Sequence, residues 1–532
     1  MNKLNNKVIL RGTLSILFAA GFGLSSFAQK ANWQNLDLRK DSVFGIGTER
    51  AYAELLKGKK SKPVLVGVLD GGVDFNHEDL KRIIWVNKKE KAGNGKDDDK
   101  NGYIDDIHGW NFLGSAKGSV EHETLELTRV LRRDKAKFEN IQASAVKPAD
   151  TAAYAQYQKA KMDFDKQTNE AKNAVENIGG LKAALDAMVK NMGKEKPELA
   201  DFQNYKPTTG IEERLKNIMV SQLQNSTYDK FYQSQIVKGL DHYQNQLDYN
   251  LNMDFDPRPE LVGDNYADSK QTNYGSSDVK GPDASHGTHV SGIIAADRTN
   301  TIGIKGVADN VMIMGVRAVP DGDERDKDVA NSIRYAVENG AKVLNMSFGK
   351  AYSWDKKAVD EAVKYAMSKD VLIVQAAGND NKNLDVEKSF PDRRYEGGGV
   401  ANAYIVVGAS GPKDDQTLKA DFSNYGKTTV DVFAPGVQIY STTPESTYEA
   451  YNGTSMASPV VAGLAALIRS YYPKLTAIQV KEIILKSVVK VNHNIEIEGE
   501  EGSTPKSVPF SDICNTGGIV SAYDALKLAA TY

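Results

Sequence analysis

Val64-Leu65-Val66-Gly67-Val68-Leu69-Asp70 is an unbroken apolar run that ends on a carboxylate. Seven residues suit a strand better than a helix, and a strand without polar alternation is one buried on both faces, as in a parallel sheet. Gly71-Gly72 follows and lets the backbone turn away at once. The pattern returns downstream, where 311–316, 343–346, 371–376 and 404–407 are further strand-like runs. Between them, 328–339 and 355–369 read as helices. This alternation predicts an α/β fold, a parallel sheet with helices on both faces.

The 532 residues can hold one large domain and an accessory one. With 40% apolar and 26% charged residues the chain is neither disordered nor fibrous. A net charge of −3 argues against nucleic acid as a partner, because phosphate neutralisation needs a concentrated basic face. Oligomeric state is written in no motif here. Lys3, Lys7 and Arg11, a short apolar run from Leu14 to Leu24, and Ser26-Phe27-Ala28 read as a signal peptide over 1–28, cut before Gln29. The run is short of the ~20 residues a spanning helix needs. The expectation is therefore an exported protein, periplasmic or secreted, with no integral membrane segment after cleavage. Cys514 is the one cysteine, which excludes an internal disulfide and reads as a buried thiol.

Between 119 and 250 glycine becomes scarce and Lys, Glu, Gln, Asn and Ala dominate. Ile211, Leu215, Ile218, Met219 and Leu223 recur at helical spacing. Gly179-Gly180 and the neighbourhoods of Pro197 and Pro207 are expected to break this stretch into several helices. The organisation predicted is 1–28 signal, 29–118 first part of the α/β domain, 119–250 helical insertion, and 251–532 the remainder of the α/β domain.

Three segments carry chemistry: Asp70 at its strand end, His286 in Ser285-His286-Gly287-Thr288-His289, and Ser455 in Gly453-Thr454-Ser455-Met456-Ala457-Ser458-Pro459. A serine hydroxyl is a weak nucleophile at neutral pH until an imidazole takes its proton, and the imidazole needs a carboxylate to fix its tautomer. Ser455 stands before an apolar helical run, 460–468, with Pro459 expected in the first helical turn. Singly, each segment has a plainer reading: a turn aspartate, a pair of metal-binding histidines at 286 and 289, and an N-cap serine. Together, in the order Asp, His, Ser, they resemble the subtilisin-like serine peptidases.

That resemblance implies a subtilisin-like parallel sheet and a serine endopeptidase acting on polypeptides through an acyl-enzyme. Asp70, His286 and Ser455 would form the triad. Asn379, in Ala376-Ala377-Gly378-Asn379, would stabilise the oxyanion. Ser347 and Gly349, in Asn345-Met346-Ser347-Phe348-Gly349, would bind extended substrate, and His289 would be structural. The resemblance covers about 64–112 and 255–530. It departs from the family in the 216-residue separation of Asp70 and His286. It also departs in the roughly 35 residues between Gln29 and Val64, too few for the family's usual N-terminal folding propeptide. Two other readings stand beside it: a peptide-binding relative without activity, and a metal-dependent hydrolase on His286 and His289, which lacks the intervening Glu of a zinc-peptidase helix.

Asp97-Asp98-Asp99-Lys100-Asn101-Gly102-Tyr103-Ile104-Asp105 places oxygen ligands at alternate positions with glycine sixth, in the manner of a calcium loop. Asp97, Asp99, Asn101, the Tyr103 carbonyl and Asp105 are the expected ligands. The twelfth position, His108, is not the glutamate of an EF-hand, so the alternative is a solvated acidic turn.

Overall fold

The computed structural model describes residues 31–497, 499 and 504–532; the signal segment expected at 1–28 lies outside them. Residues 31–130 with 256–532 form one compact unit, and 131–255 another.

The first unit is built on nine strands: β1 (Val64–Asp70), β2 (Gly109–Asn111), β3 (Val311–Arg317), β4 (Val343–Met346), β5 (Leu372–Ala376), β6 (Tyr404–Ser410), β7 (Val432–Pro435), β8 (Val489–Lys490) and β9 (Gly518–Ile519). Their order is β8-β9-β7-β6-β5-β4-β1-β3-β2. All pairs are parallel except β8 with β9. β1 therefore lies inside the sheet, with Val64 opposite Val311 on one side and Val66 opposite Val343 on the other.

Successive strand residues point to opposite faces, and both faces are covered. Val66, Val68, Val343 and Leu372 join the core made by helices α1 (Ser285–Ala295) and α4 (Thr454–Tyr471). Leu69, Leu344, Met346 and Ile373 join that of α2 (Asp326–Glu338) and α3 (Lys356–Ser368). Each fully buried aliphatic side chain contributes about 2 kcal/mol, so two such cores fix the sheet's register firmly. This is the α/β architecture the alternation predicts. Cys514 is fully buried in the second core, and burial pushes its thiol pKa up. Among the described residues no helix is long and apolar enough to cross a membrane.

The second unit is helical. Leu185, Met188, Phe202, Leu215, Met219 and Phe231 form its own core. The helix Thr151–Met192 runs unbroken through Gly179-Gly180, against expectation. A glycine costs a helix only about 1 kcal/mol, and Ile178 and Leu181 on either side pack against the core. Within the helix Gly210–Gln222, Leu215 and Met219 are buried but Ile211 is 58% exposed, so the apolar stripe starts one turn later than the spacing implied. The unit also begins later than 119 and ends later than 250. Val120 is buried in the α/β core, and Asp321 exchanges backbone hydrogen bonds with Glu121 and Glu123, which holds 119–130 in the first unit.

Candidate active site

Asp70 ends β1, only 2% exposed. Its Oδ1 accepts from Gly71 N at 2.8 Å and from His286 Nδ1 at 2.7 Å, while Oδ2 is buried without a hydrogen-bond partner. His286 sits in the first turn of α1. A Cβ on Gly287 would fall 2.2 Å from Gly72 O and 3.0 Å from the Asp70 Cβ, so only glycine lets the start of α1 rest on the end of β1. With a carboxylate as acceptor, Nδ1 carries the proton and Nε2 of the neutral ring keeps its lone pair for other work. Burial disfavours the imidazolium, but the Asp70 charge and hydrogen bond outweigh it, with help from Asp283. The pKa of His286 lies above the usual 6.5.

His289 plays a different part. Its Nε2 donates to Glu449 O at 3.1 Å and its ring stacks on Tyr451 at 4.3 Å. Burial pulls its pKa down to about 3, so the ring is neutral, held between the Glu449 carbonyl and Tyr451.

Ser455 is half-buried, the second residue of α4, and its Oγ donates to Ser347 O at 3.1 Å. No hydrogen bond joins it to His286 among the described residues. Pro459 lies beyond the first turn, contrary to the sequence reading. Lacking an N–H, it leaves the Ser455 carbonyl without its helical partner. Ser347 Oγ replaces that partner at 2.9 Å and in turn meets Ser458 Oγ at 2.8 Å and Asn345 Nδ2 at 2.9 Å. Strand β4 thus clamps the helix turn that bears Ser455.

Asn379 follows β5. Its Oδ1 accepts from Thr454 N and Thr454 Oγ1, both at 2.9 Å, and Thr454 Oγ1 accepts from Gly378 N at 3.0 Å. With its oxygen so held, the amide presents Nδ2 to the Gly453 side. A Cβ placed on Gly453 would lie 3.7 Å from Asn379 Nδ2 and 3.5 Å from Ser455 N. Two N–H donors thus face one small space beside Ser455, which glycine keeps open. Sequence reading missed Thr454, Asn345 and Ser458; a threonine between the glycine and the serine at a helix start was the available signal. Ser347 is therefore a clamp as well as an edge residue. Gly349 follows β4 on the same edge.

In the acidic loop, carboxylate oxygens of Glu90, Asp97 and Asp99 come within 4.8 Å of one another. The side chains of Asp105 and Asn101, also expected as ligands, hold the loop's own groups, as Asp97 does through Asn101 N and Gly102 N. Asp105 accepts from Asn94 N and Gly95 N at 3.2 and 2.8 Å. Asn101 accepts from Tyr103 N at 2.8 Å and donates to Asp106, and the Tyr103 ring packs on Trp110 and Tyr335. Glu90 was not foreseen, because a glycine turn separates it from the motif.

The profile of the subtilase family (Peptidase_S8) matches residues 61–503. A thermophilic serine proteinase of Bacillus sp. (strain AK1) is 44% identical over 186 residues, 35% of this chain and 42% of that one. Subtilisin DY of Bacillus licheniformis is 40% identical over 197 residues, 37% and 67% of the two chains. Thermitase of Thermoactinomyces vulgaris is 40% identical over 186 residues, 35% and 61%. The matched stretches thus span about half the length of these relatives.

Proposed function

The chain belongs to the subtilase family, and on that premise we propose that it is an exported serine endopeptidase that cleaves polypeptides through an acyl-enzyme on Ser455. The observation that carries this reading is the 2.7 Å Asp70–His286 hydrogen bond on the same sheet edge as a space faced by Ser455 N and Asn379 Nδ2. His286 Nε2 takes the proton of Ser455 Oγ as that oxygen attacks the substrate carbonyl. The oxyanion accepts from Ser455 N–H and Asn379 Nδ2–H. Collapse expels the amine, which leaves with the proton held on His286. Water then attacks the acyl-enzyme with His286 again as base.

Labelling with a fluorophosphonate probe tests the reading: the wild type should label, and Ser455→Ala should not. Asn379→Ala should lower kcat by roughly a hundred- to a thousandfold with little change in KM, because the oxyanion exists only along the reaction path. An equal rise in KM with kcat unchanged would assign Asn379 to ground-state binding instead.

We further propose that Glu90, Asp97 and Asp99 hold calcium. Three carboxylates are the hard oxygen donors that this cation selects, and bound calcium would tie the 87–106 loop together. Chelation should then lower the melting temperature by the loss of RT ln(1 + [L]/Kd), about 3 kcal/mol at hundredfold saturation. Asp99→Ala should melt alike with calcium and with chelator. Identical wild-type melting curves in the two conditions would make the loop a plain acidic turn.

A further inference from the structure

Arg317 ends β3 directly beside Asp70, its register partner on β1. Val66 and Val68 on β1 and Ile313 on β3 enter the core under α1, so by alternation Asp70 and Arg317 leave the sheet on that same face. Arg317 is 2% exposed, and its hydrogen bonds all go to neutral oxygens. Nε donates to Gly71 O at 2.7 Å, Nη1 to Asn111 Oδ1 at 3.2 Å, and Nη2 to Val120 O. Among the described residues no carboxylate forms an ion pair with it. Burial pulls its pKa down to about 10, against the charges of Asp278, Glu121 and Asp283, so the guanidinium stays charged at neutral pH. A cation buried without a counter-charge is costly, and a fold keeps one where the bonds it donates are needed.

Those bonds hold the turn that follows Asp70. Gly71 and Gly72 have no side chains to restrict φ and ψ, so partners must set their peptide planes. Asp70 O accepts from Ala318 N at 3.0 Å and Val319 N at 3.2 Å, and Gly71 O accepts from Arg317 Nε. The Gly71 N–H then meets Asp70 Oδ1, and Gly72 O lies where Gly287 of α1 rests on it. Gly287 is the neighbour of His286, so one turn both anchors the carboxylate and seats the imidazole. The guanidinium also touches the segment that leads to His286. At Gly281, whose φ is +64°, a Cβ would fall 2.2 Å from Arg317 Nε. On its far side the fork is fixed by Asn111, whose Oδ1 also accepts from Leu113 N at 2.8 Å and whose Nδ2 donates to Ser119 Oγ at 2.9 Å.

We propose that Arg317 is a positioning residue of the triad: its fork fixes the Gly71-Gly72 turn and, through that turn, the meeting of His286 with Asp70. The inference rests on the peptidase reading of the same site.

Arg317→Lys tests it, because lysine keeps the charge and gives up the fork. On a peptide anilide kcat should fall by about tenfold or more, the scale of a misplacement of about 1 Å, with KM within about twofold. A general weakening of the fold is indifferent to whether residue 70 can act, so the same change is also made in Asp70→Asn. There the carboxylate is gone, alignment has nothing left to serve, and Arg317→Lys should cost less than about threefold. An equal loss in both backgrounds, or a raised KM at unchanged kcat, overturns the proposal. Should Arg317→Lys not fold, Gly281→Ala displaces the guanidinium without removing it and is read in the same two backgrounds. Should neither fold, Arg317 serves the fold alone and the proposal falls. Hydrolysis that is lost in Ser455→Ala yet falls less than about tenfold in Arg317→Lys leaves the peptidase reading standing and removes only the role of Arg317. No hydrolysis by the wild type removes both.

Discussion

Ser455→Ala should lower kcat on a peptide anilide by roughly a millionfold, as the same change does in subtilisin, while the folded protein still binds peptide. No neighbouring hydroxyl can stand in. Thr454 Oγ1 is committed to Gly378 N and Asn379, and Ser347 Oγ to Ser455 O and Ser458. The lost side chain makes one hydrogen bond, to Ser347 O, so stability should change by only about 1 kcal/mol. His286→Ala should cost about as much, and the double variant little more, because the two groups act as a unit. The measurement is kcat beside a melting curve. Turnover near wild type in a folded Ser455→Ala would end the assignment of Ser455.

Asp70→Asn should cost roughly ten-thousandfold in kcat. An amide has no charge to offer the imidazolium formed at each proton transfer. Its NH2 must either occupy the Oδ2 position, where Asp70 has no hydrogen-bond partner, or face Nδ1 and drive the ring proton to Nε2. The pH profile supplies an independent check. With neutral His286 as the proposed base, kcat/KM should fall as pH drops through its pKa. With Asp70 present that pKa is raised, and the acid limb lies above pH 6.5. Removing the carboxylate leaves burial as the dominant influence, which lowers the pKa. The limb of Asp70→Asn should therefore move to lower pH even as the rate collapses. A limb at the same pH in both proteins would mean that Asp70 does not supply the charge.

Patterns local in the chain were the ones legible in the sequence. The all-apolar run at 64–70 is β1, with Asp70 at its end, and 343–346 is β4. Both are buried on two faces, so periodicity could not be masked by solvent-side variation. β2, β7, β8 and β9 were missed, being four residues or fewer and made strands only by pairing with other segments of the chain. Lys350, Arg129 and Glu126 look like surface charges in a string of letters. Burial is a property of the assembled neighbours, and nothing beside Lys350 foretells two carboxylates from residues 126 and 326. Thr454 was hidden differently, since its task is to orient another side chain rather than to react.

The position of β1 also sets a timetable. The strand that ends on Asp70 emerges early, yet both of its partners, at 311–317 and 343–346, emerge after the whole helical unit. That unit has its own core, and Arg132 bonds the carbonyls of Asn252 and Phe255, which pins its two ends together. Once formed, it shortens the loop that must close before β1 finds its neighbours, and it does so with contacts near in sequence, the fast kind. His286 and Ser455 come later still, the serine on a helix that ends at Tyr471. A nascent chain therefore holds Asp70 long before His286 and Ser455, and the three can be brought together only after most of the chain has been made.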